Sequence, residues 1–185
     1  MEFTLEVRVA NEQSGSQSFA RSNGDVATAT FPPPIPRPAI RVRMQSHLTQ
    51  RGIRLLWDRG GEDLDSVKLA IMALAAVPHA YDHHGWAVLG DMNDTSINPV
   101  ADHHELGEFC AEHYIDRLVC IGMRATETAR GALDQGMNDE QVQAFSDSPA
   151  ALNFLRENVN AGDVMLVKGP KSMNSDGIVA AMFSV

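Results

Sequence analysis

Residues 86–122 read WAVLGDMNDTSINPVADHHELGEFCAEHYIDRLVCIG. Two short apolar runs, WAVLG (86–90) and RLVCIG (117–122), flank ADHHELGEFCAEHY (101–114), a segment with the pattern of an amphipathic helix. A strand that is apolar throughout has both faces buried, and a helical crossover is what joins two parallel strands. The stretch therefore predicts a strand–helix–strand unit. The same alternation continues outward. Upstream lie a short strand, IRLLW (53–57), and a helix over LDSVKLAIMALAAV (64–77). Downstream come a helix near ATETARGALDQG (125–136), a weak strand VQAFS (142–146) and a helix over PAALNFLRENV (149–159). A last strand, DVMLVKG (163–169), precedes a final helix from SDGIVAAMF (175–183). The expected fold is α/β: a three-layer, Rossmann-like domain with a mainly parallel sheet of five or six strands.

Before residue 51 the chain changes character. Five prolines fall between Pro32 and Pro38. Each fixes φ and removes a backbone donor, so the run can be neither helix nor central strand. Residues 32–50 are expected to be an extended connector and 51–185 the α/β domain. Residues 1–31 are expected to form a small antiparallel meander. FTLEVRV alternates, QSFAR is brief, DVATATF is rich in β-branched residues, and Asn23-Gly24 between the last two is a hairpin signal. Such a meander buries little, so residues 50–185 are expected to fold without the first 45.

Charge follows the same division. Residues 1–57 carry 7 basic and 4 acidic side chains, and residues 58–185 carry 8 and 20, giving −9 overall. An acidic chain without clustered cations is a poor nucleic-acid binder. No apolar run approaches a membrane span, and the N-terminus lacks the basic start and apolar stretch of a secretory signal. With only Cys110 and Cys120, the expectation is a cytoplasmic protein whose thiols are reduced and serve as small apolar residues.

Chemistry in an open parallel sheet belongs at the carboxyl ends of the strands. Three such ends stand out: Gly90-Asp91-Met92, Gly122, and Lys168-Gly169-Pro170-Lys171. Asp91 could bind a hydroxyl, cation or basic group, and Lys168 a phosphate or carboxylate. Ordinary turn chemistry is the alternative for both. Of seven histidines, His79, His83 and His84 fall in a loop and His103, His104 and His113 on a helix. None has persuasive metal-ligand spacing, so no metal ligand is assigned. The chain holds no G-x-x-x-x-G-K-[ST] loop, no G-x-G-x-x-G after a strand and no G-x-S-x-G. No catalytic residue is assigned either, and a dinucleotide-dependent oxidoreductase is disfavoured.

In this order WAVLGDM (86–92), HHELGEFCAEHYIDRLVCIG (103–122) and AGDVMLVKGPKSM (161–173) resemble the C-terminal domain of the Mur ligases. The likeness covers about residues 50–185. FTLEVRV and QSFARSNGDVATATFP (17–32) resemble the β-hairpin region near the end of the family's central ATP-binding domain. A long helical stretch separates the two regions in the family, and here the proline-rich connector takes its place. The resemblance thus implies a ligase shortened at its start and internally deleted, without the P-loop.

What the resemblance implies is the branch that joins D-alanyl-D-alanine to UDP-N-acetylmuramoyl-tripeptide in peptidoglycan precursor synthesis. ATP and Mg²⁺ would sit on a central domain, in a separate domain or chain, while the C-terminal domain closes over the acyl phosphate and brings the amine. Ligand-side residues implied this way are Asp58, Asp91, His103, Lys168 and Gly169, with His103 supporting its helix and Met173 packing under the loop. The sequence departs from the family where Asp58-Arg59-Gly60-Gly61-Glu62-Asp63 replaces Asp-x-Tyr-Asn-Ala-Asn-Pro, because added carboxylates repel phosphates. The loop after Met92 differs as well. This chain alone is therefore expected to be inactive, and the alternative is a non-catalytic domain that binds a small ligand or a partner.

Overall fold

Five parallel strands form the centre of the molecule: β5 (Arg54–Trp57), β6 (Gly85–Gly90), β7 (Arg117–Ile121), β8 (Val142–Phe145) and β9 (Val164–Lys168). The computed structural model describes residues 2–9, 19–20, 26–27, 40–57, 61–92 and 97–183, with side chains from residue 44 onward. Asn23-Gly24, the Pro32–Pro38 run, Asp58-Arg59-Gly60 and residues 93–96 lie outside the described residues. The helices are α1 (Leu64–Ala75), α2 (Pro99–Glu112), α3 (Ala125–Asp134), α4 (Ser148–Asn158) and α5 (Ser175–Phe183). Each strand and helix of the expected α/β alternation is present.

Four earlier strands complete the list among the described residues: β1 (Glu2–Val9), β2 (Phe19–Ala20), β3 (Val26–Ala27) and β4 (Ile40–Leu48). The main sheet has seven strands in the order β1-β4-β5-β9-β6-β7-β8, and β2 and β3 form a separate antiparallel pair. Here the structure differs from the expected connector over 32–50. Residues 40–48 are a strand, antiparallel to β1 on one side and to β5 on the other. The reason is legible in IRVRM, which alternates apolar and polar residues from Ile40 and lies after the last proline of the run, so no ladder donor is missing. β1 therefore leaves the meander and joins the large sheet.

Strand order explains the layers. From β5 through β6 and β7 to β8 the chain moves one way across the sheet, and from β8 it returns to place β9 between β5 and β6. Right-handed crossovers in opposite directions put their helices on opposite faces. One apolar core accordingly joins Val67, Ile71 and Leu74 of α1, Leu106 and Cys110 of α2 and Ala129 and Ala132 of α3 to Leu56, Leu89, Leu118 and Leu166. The other joins Ala151 and Leu155 of α4 and Ile178, Val179 and Met182 of α5 to Leu55, Val88, Val119 and Met165. β9 has all five residues buried, as a central strand covered on both faces requires.

Helix ends are set by local chemistry. Asp63, Asn98 and Asp147 cap α1, α2 and α4 by accepting the N–H of Ser66, Ala101 and Ala150. Pro99 and Pro149 occupy the first turns of α2 and α4, where a missing N–H costs nothing. Among the described residues no helix is long and apolar enough to cross a membrane.

Candidate functional site

The topological switch lies where β9 meets β6, since the helices that follow these strands go to opposite faces of the sheet. Two glycines end the strands there, and they approach each other closely. A Cβ on Gly169 would fall 2.9 Å from the Gly90 Cα and 2.6 Å from the Met173 sulfur. A Cβ on Gly90 would fall 2.4 Å from the same sulfur and 2.9 Å from Pro170 Cδ. The glycines thus make room for the Met173 loop, and Met173 is buried beneath it, as expected. The Ser148 hydroxyl donates to the Met173 carbonyl and ties the start of α4 to this loop.

Asp91, one residue past β6, is turned toward β7. Its Oδ2 accepts the Met123 N–H at 2.8 Å and its Oδ1 accepts the Arg124 N–H at 3.0 Å. A carboxylate on the N–H groups of the two residues that lead into α3 is favoured by charge-assisted hydrogen bonding and, just ahead of the helix, by its dipole. The contact is possible because residue 122 is glycine. Its φ is +133°, and a Cβ there would lie 2.5 Å from Asp91 Oδ1. Asp91 therefore links the β6 and β7 loops, leaving Met123 almost fully exposed at the rim.

His103 sits behind this link on α2, 1% exposed. Its Nε2 accepts the Met92 N–H at 3.0 Å and its Nδ1 donates to the Pro99 carbonyl at 2.6 Å. The two backbone groups have fixed roles, so the ring is the neutral tautomer protonated on Nδ1. His103 Nε2 stands 4.0 Å from Asp91 Oδ1. The pair fastens Asp91-Met92 to both α2 and α3.

Lys168 ends β9 and is 3% exposed. Across from it, at the start of α1, Asp63 accepts from the Ser66 N–H at 2.9 Å and from the Ser66 hydroxyl at 2.8 Å. These bonds, with help from the Lys168 charge, hold the Asp63 carboxyl below the usual carboxylate range. The structure thus brings Asp91, His103, Lys168 and Gly169 to one edge of the sheet, while Asp58 lies outside the described residues.

Other polar groups serve the fold. Beside α2 is a groove of about 480 Å³ lined by His104, Glu105, Glu108 and Arg130 among others. Its charged groups are matched: His104 with Asp134 and Glu108, Glu105 with Lys68, Arg130 with Glu127. At the opposite edge of the sheet Asp163, 1% exposed, accepts from the His84 N–H, Trp86 Nε1 and the Asn160 N–H at 2.8–2.9 Å. Sequence reading missed this buried carboxylate, because its donors at 84 and 86 are remote in the chain. A DV pair opening an apolar strand was the available signal. Cys110 and Cys120 are buried free thiols, and burial pushes the Cys110 thiol up to about 12 and Cys120 well above its ordinary value.

Fold and rim together define a doubly wound α/β domain in which Asp91, His103, Lys168 and Gly169 share the carboxyl edge of the sheet. The chain belongs to the Mur ligase family: the model described as "Mur ligase, glutamate ligase domain" matches residues 42–170. It is 30% identical over 148 residues to the UDP-N-acetylmuramoyl-tripeptide–D-alanyl-D-alanine ligase of Mycobacterium leprae, covering 74% of this chain and 29% of that one. To the Bacillus subtilis ligase of the same name it is 26% identical over 140 residues, 75% of this chain and 30% of that one. The crystal structure of MurF from Acinetobacter baumannii has the same fold, with a TM-score of 0.61 at 20% identity, over 74% of this chain and 29% of that one. This chain spans about three-tenths of the length of the relatives it matches.

Proposed function

We propose that this chain is the amine-bringing portion of an ATP-dependent ligase that adds D-alanyl-D-alanine to UDP-N-acetylmuramoyl-tripeptide. The observation that carries the reading is the family match over residues 42–170, joined to relatives whose names state that reaction. The position of Lys168 and Gly169 at the switch of the sheet supports it, since that is where doubly wound domains meet their ligands.

The described rim residues do not fit a nucleotide triphosphate. Met173 and Pro170 fill the space that Gly90 and Gly169 open, and Glu62 and Asp63 add negative charge at the start of α1. No phosphoryl step is therefore assigned to them, and ATP with Mg²⁺ belongs to a separate domain or chain. The part left to this chain is positioning. Lys168, poorly screened by water at the rim, offers positive charge to the carboxylate terminus of an incoming dipeptide. Gly169 lets backbone approach it. Asp91 and His103 act through the loops they hold, and Asp58, outside the described residues, is kept as a ligand-side candidate from the family resemblance alone. Closure of this rim over an acyl phosphate would keep water from the reacting carbonyl.

A non-catalytic domain that binds a small ligand or a partner is the second reading. It is favoured because Asp91 and His103 already spend their hydrogen bonds within the fold. Phosphate release from MgATP, with UDP-muramoyl-tripeptide and D-alanyl-D-alanine present and each omitted in turn, separates the outcomes when paired with amide NMR. We expect no phosphate release from the chain alone, and D-alanyl-D-alanine shifting the Gly169 amide in the wild type but not in Lys168→Met. Turnover by the chain alone would overturn the separate-nucleotide assignment. Absence of any dipeptide shift would leave the non-catalytic reading.

A further inference from the structure

His103 holds the turn after β6 from beneath, and it can do so in one protonation state only. The ring is 1% exposed and Met92 is 6% exposed, so water is no ready substitute partner for either. The Pro99 carbonyl, 2.6 Å from Nδ1, can only accept, which keeps the Nδ1 proton in place. Nε2 accepts the Met92 N–H at 3.0 Å, and it can accept only while it carries no proton of its own. A carboxylate stands 4.0 Å from the same nitrogen, at Asp91 Oδ1. That oxygen already takes the Arg124 N–H at 3.0 Å, and a carboxylate oxygen has a second lone pair to offer.

The charged groups on the elements packed around the ring are engaged elsewhere. On α1, Lys68 pairs with Glu105, and on α3, Arg130 pairs with Glu127. The adjacent His104 turns its two nitrogens to Glu108 and Asp134. Arg124 caps the start of α3, and Lys168 ends β9, the strand beside β6. Among the described residues, the charged group within ion-pair reach of the His103 ring is Asp91.

We propose that His103 is a proton-operated latch on the Asp91-Met92 turn. The unprotonated ring holds the Met92 N–H and fixes the turn to α2. A proton taken from solvent onto Nε2 makes that nitrogen a donor, so the Met92 N–H loses its acceptor. The imidazolium keeps its bond to the Pro99 carbonyl and turns its Nε2–H to Asp91 Oδ1, where a charge-assisted bond replaces the lost one. Asp91 is thereby drawn toward α2 and away from the Met123 and Arg124 N–H groups. The link between the β6 and β7 loops loosens as pH falls. The latch needs no ligand, so the proposal is independent of the ligase reading.

Amide and histidine-ring nitrogen NMR of the full chain, between about pH 8 and about pH 5 where histidines titrate, tests it. In the wild type the Met92 amide and the His103 Nε2 resonance are expected to move with one shared midpoint. The Met123 and Arg124 amides should follow at the same midpoint. Met92 protection against hydrogen exchange should fall by about tenfold or more on the acid side. Asp91→Asn removes the charge that the imidazolium turns to. In that variant Met92 should keep its acceptor up to a proton concentration on the order of tenfold higher. His103→Gln offers the Met92 N–H an amide oxygen that does not titrate, and the Met92 response is expected to vanish. A folded wild type whose Met92 amide does not follow the ring overturns the proposal. So does an Asp91→Asn profile that matches the wild type, or a Met92 response that persists in folded His103→Gln.

Discussion

Asp91 shows how one side chain can lie at the carboxyl edge of a doubly wound sheet and still owe its position to the fold. Both of its oxygens are taken by the N–H groups of Met123 and Arg124, and its side chain is only 21% exposed. Removing the carboxylate leaves those donors without their partner, and hydrogen bonds to charged groups are the stronger kind. Asp91→Ala is therefore expected to cost about 2 kcal/mol in urea unfolding, and Asp91→Asn, which keeps an acceptor, less. A cost for Asp91→Ala within about 0.5 kcal/mol of zero, the scatter of ordinary surface substitutions, would sink the idea that this residue links the two loops. An aspartate after a strand-ending glycine was legible as a candidate in the sequence. Its partners were not, because they are 32 and 33 residues further along the chain and only the β6–β7 register brings them near.

Among the elements, the α2–α3 contact is the tightest. A Cβ on Gly131 would fall 2.0 Å from the His104 carbonyl oxygen, and one on Gly107 would fall 1.9 Å from the Thr128 carbonyl oxygen. Backbone meets backbone there, so no side chain can swing aside. By helix propensity alone Gly131→Ala should stabilise α3 by about 1 kcal/mol. The packing reverses that sign, and a net loss of about 1–3 kcal/mol is expected. Thr126→Ala, on the exposed face of the same helix, should stay near neutral in the same thermal or urea melt. If Gly131→Ala proves stabilising, the two helices are not in backbone contact. Periodicity could place α2 and α3 in the chain, and did so to within a few residues, but it carries no information on how closely two helices cross.

For the molecule as a whole, β4 moves the boundary that the prolines suggested. It pairs with β5, its Met44 is 1% exposed in the core, and Thr49 just after it exchanges hydrogen bonds with Ile53. Residues 39–185 should therefore unfold cooperatively, with most of the stability of the full chain. Residues 50–185 lose a whole strand and a buried methionine, and truncating one buried Met already costs about 2–5 kcal/mol. Urea unfolding of the two pieces checks this. Equal midpoints would make β4 dispensable and return the boundary to residue 50. The proline run itself lies outside the described residues, but its influence was extended over residues 40–48, which alternate as a strand does and form one.

The sequence by itself determined the alternation of apolar strands with amphipathic helices, and hence a doubly wound sheet, because strand and helix periods are local properties of the chain. It also determined the family, through VLGDM and VKG segments whose order is a property of the chain alone. Only the tertiary structure decided that β9 inserts between β5 and β6 and that β1 and β4 extend the sheet to seven strands. It alone set the three donors around Asp163 and turned the Asp91 carboxylate to α3 and the His103 ring to Met92. Each of these depends on long-range register, which is fixed when both faces of the sheet are buried at once and cannot be read from any one segment.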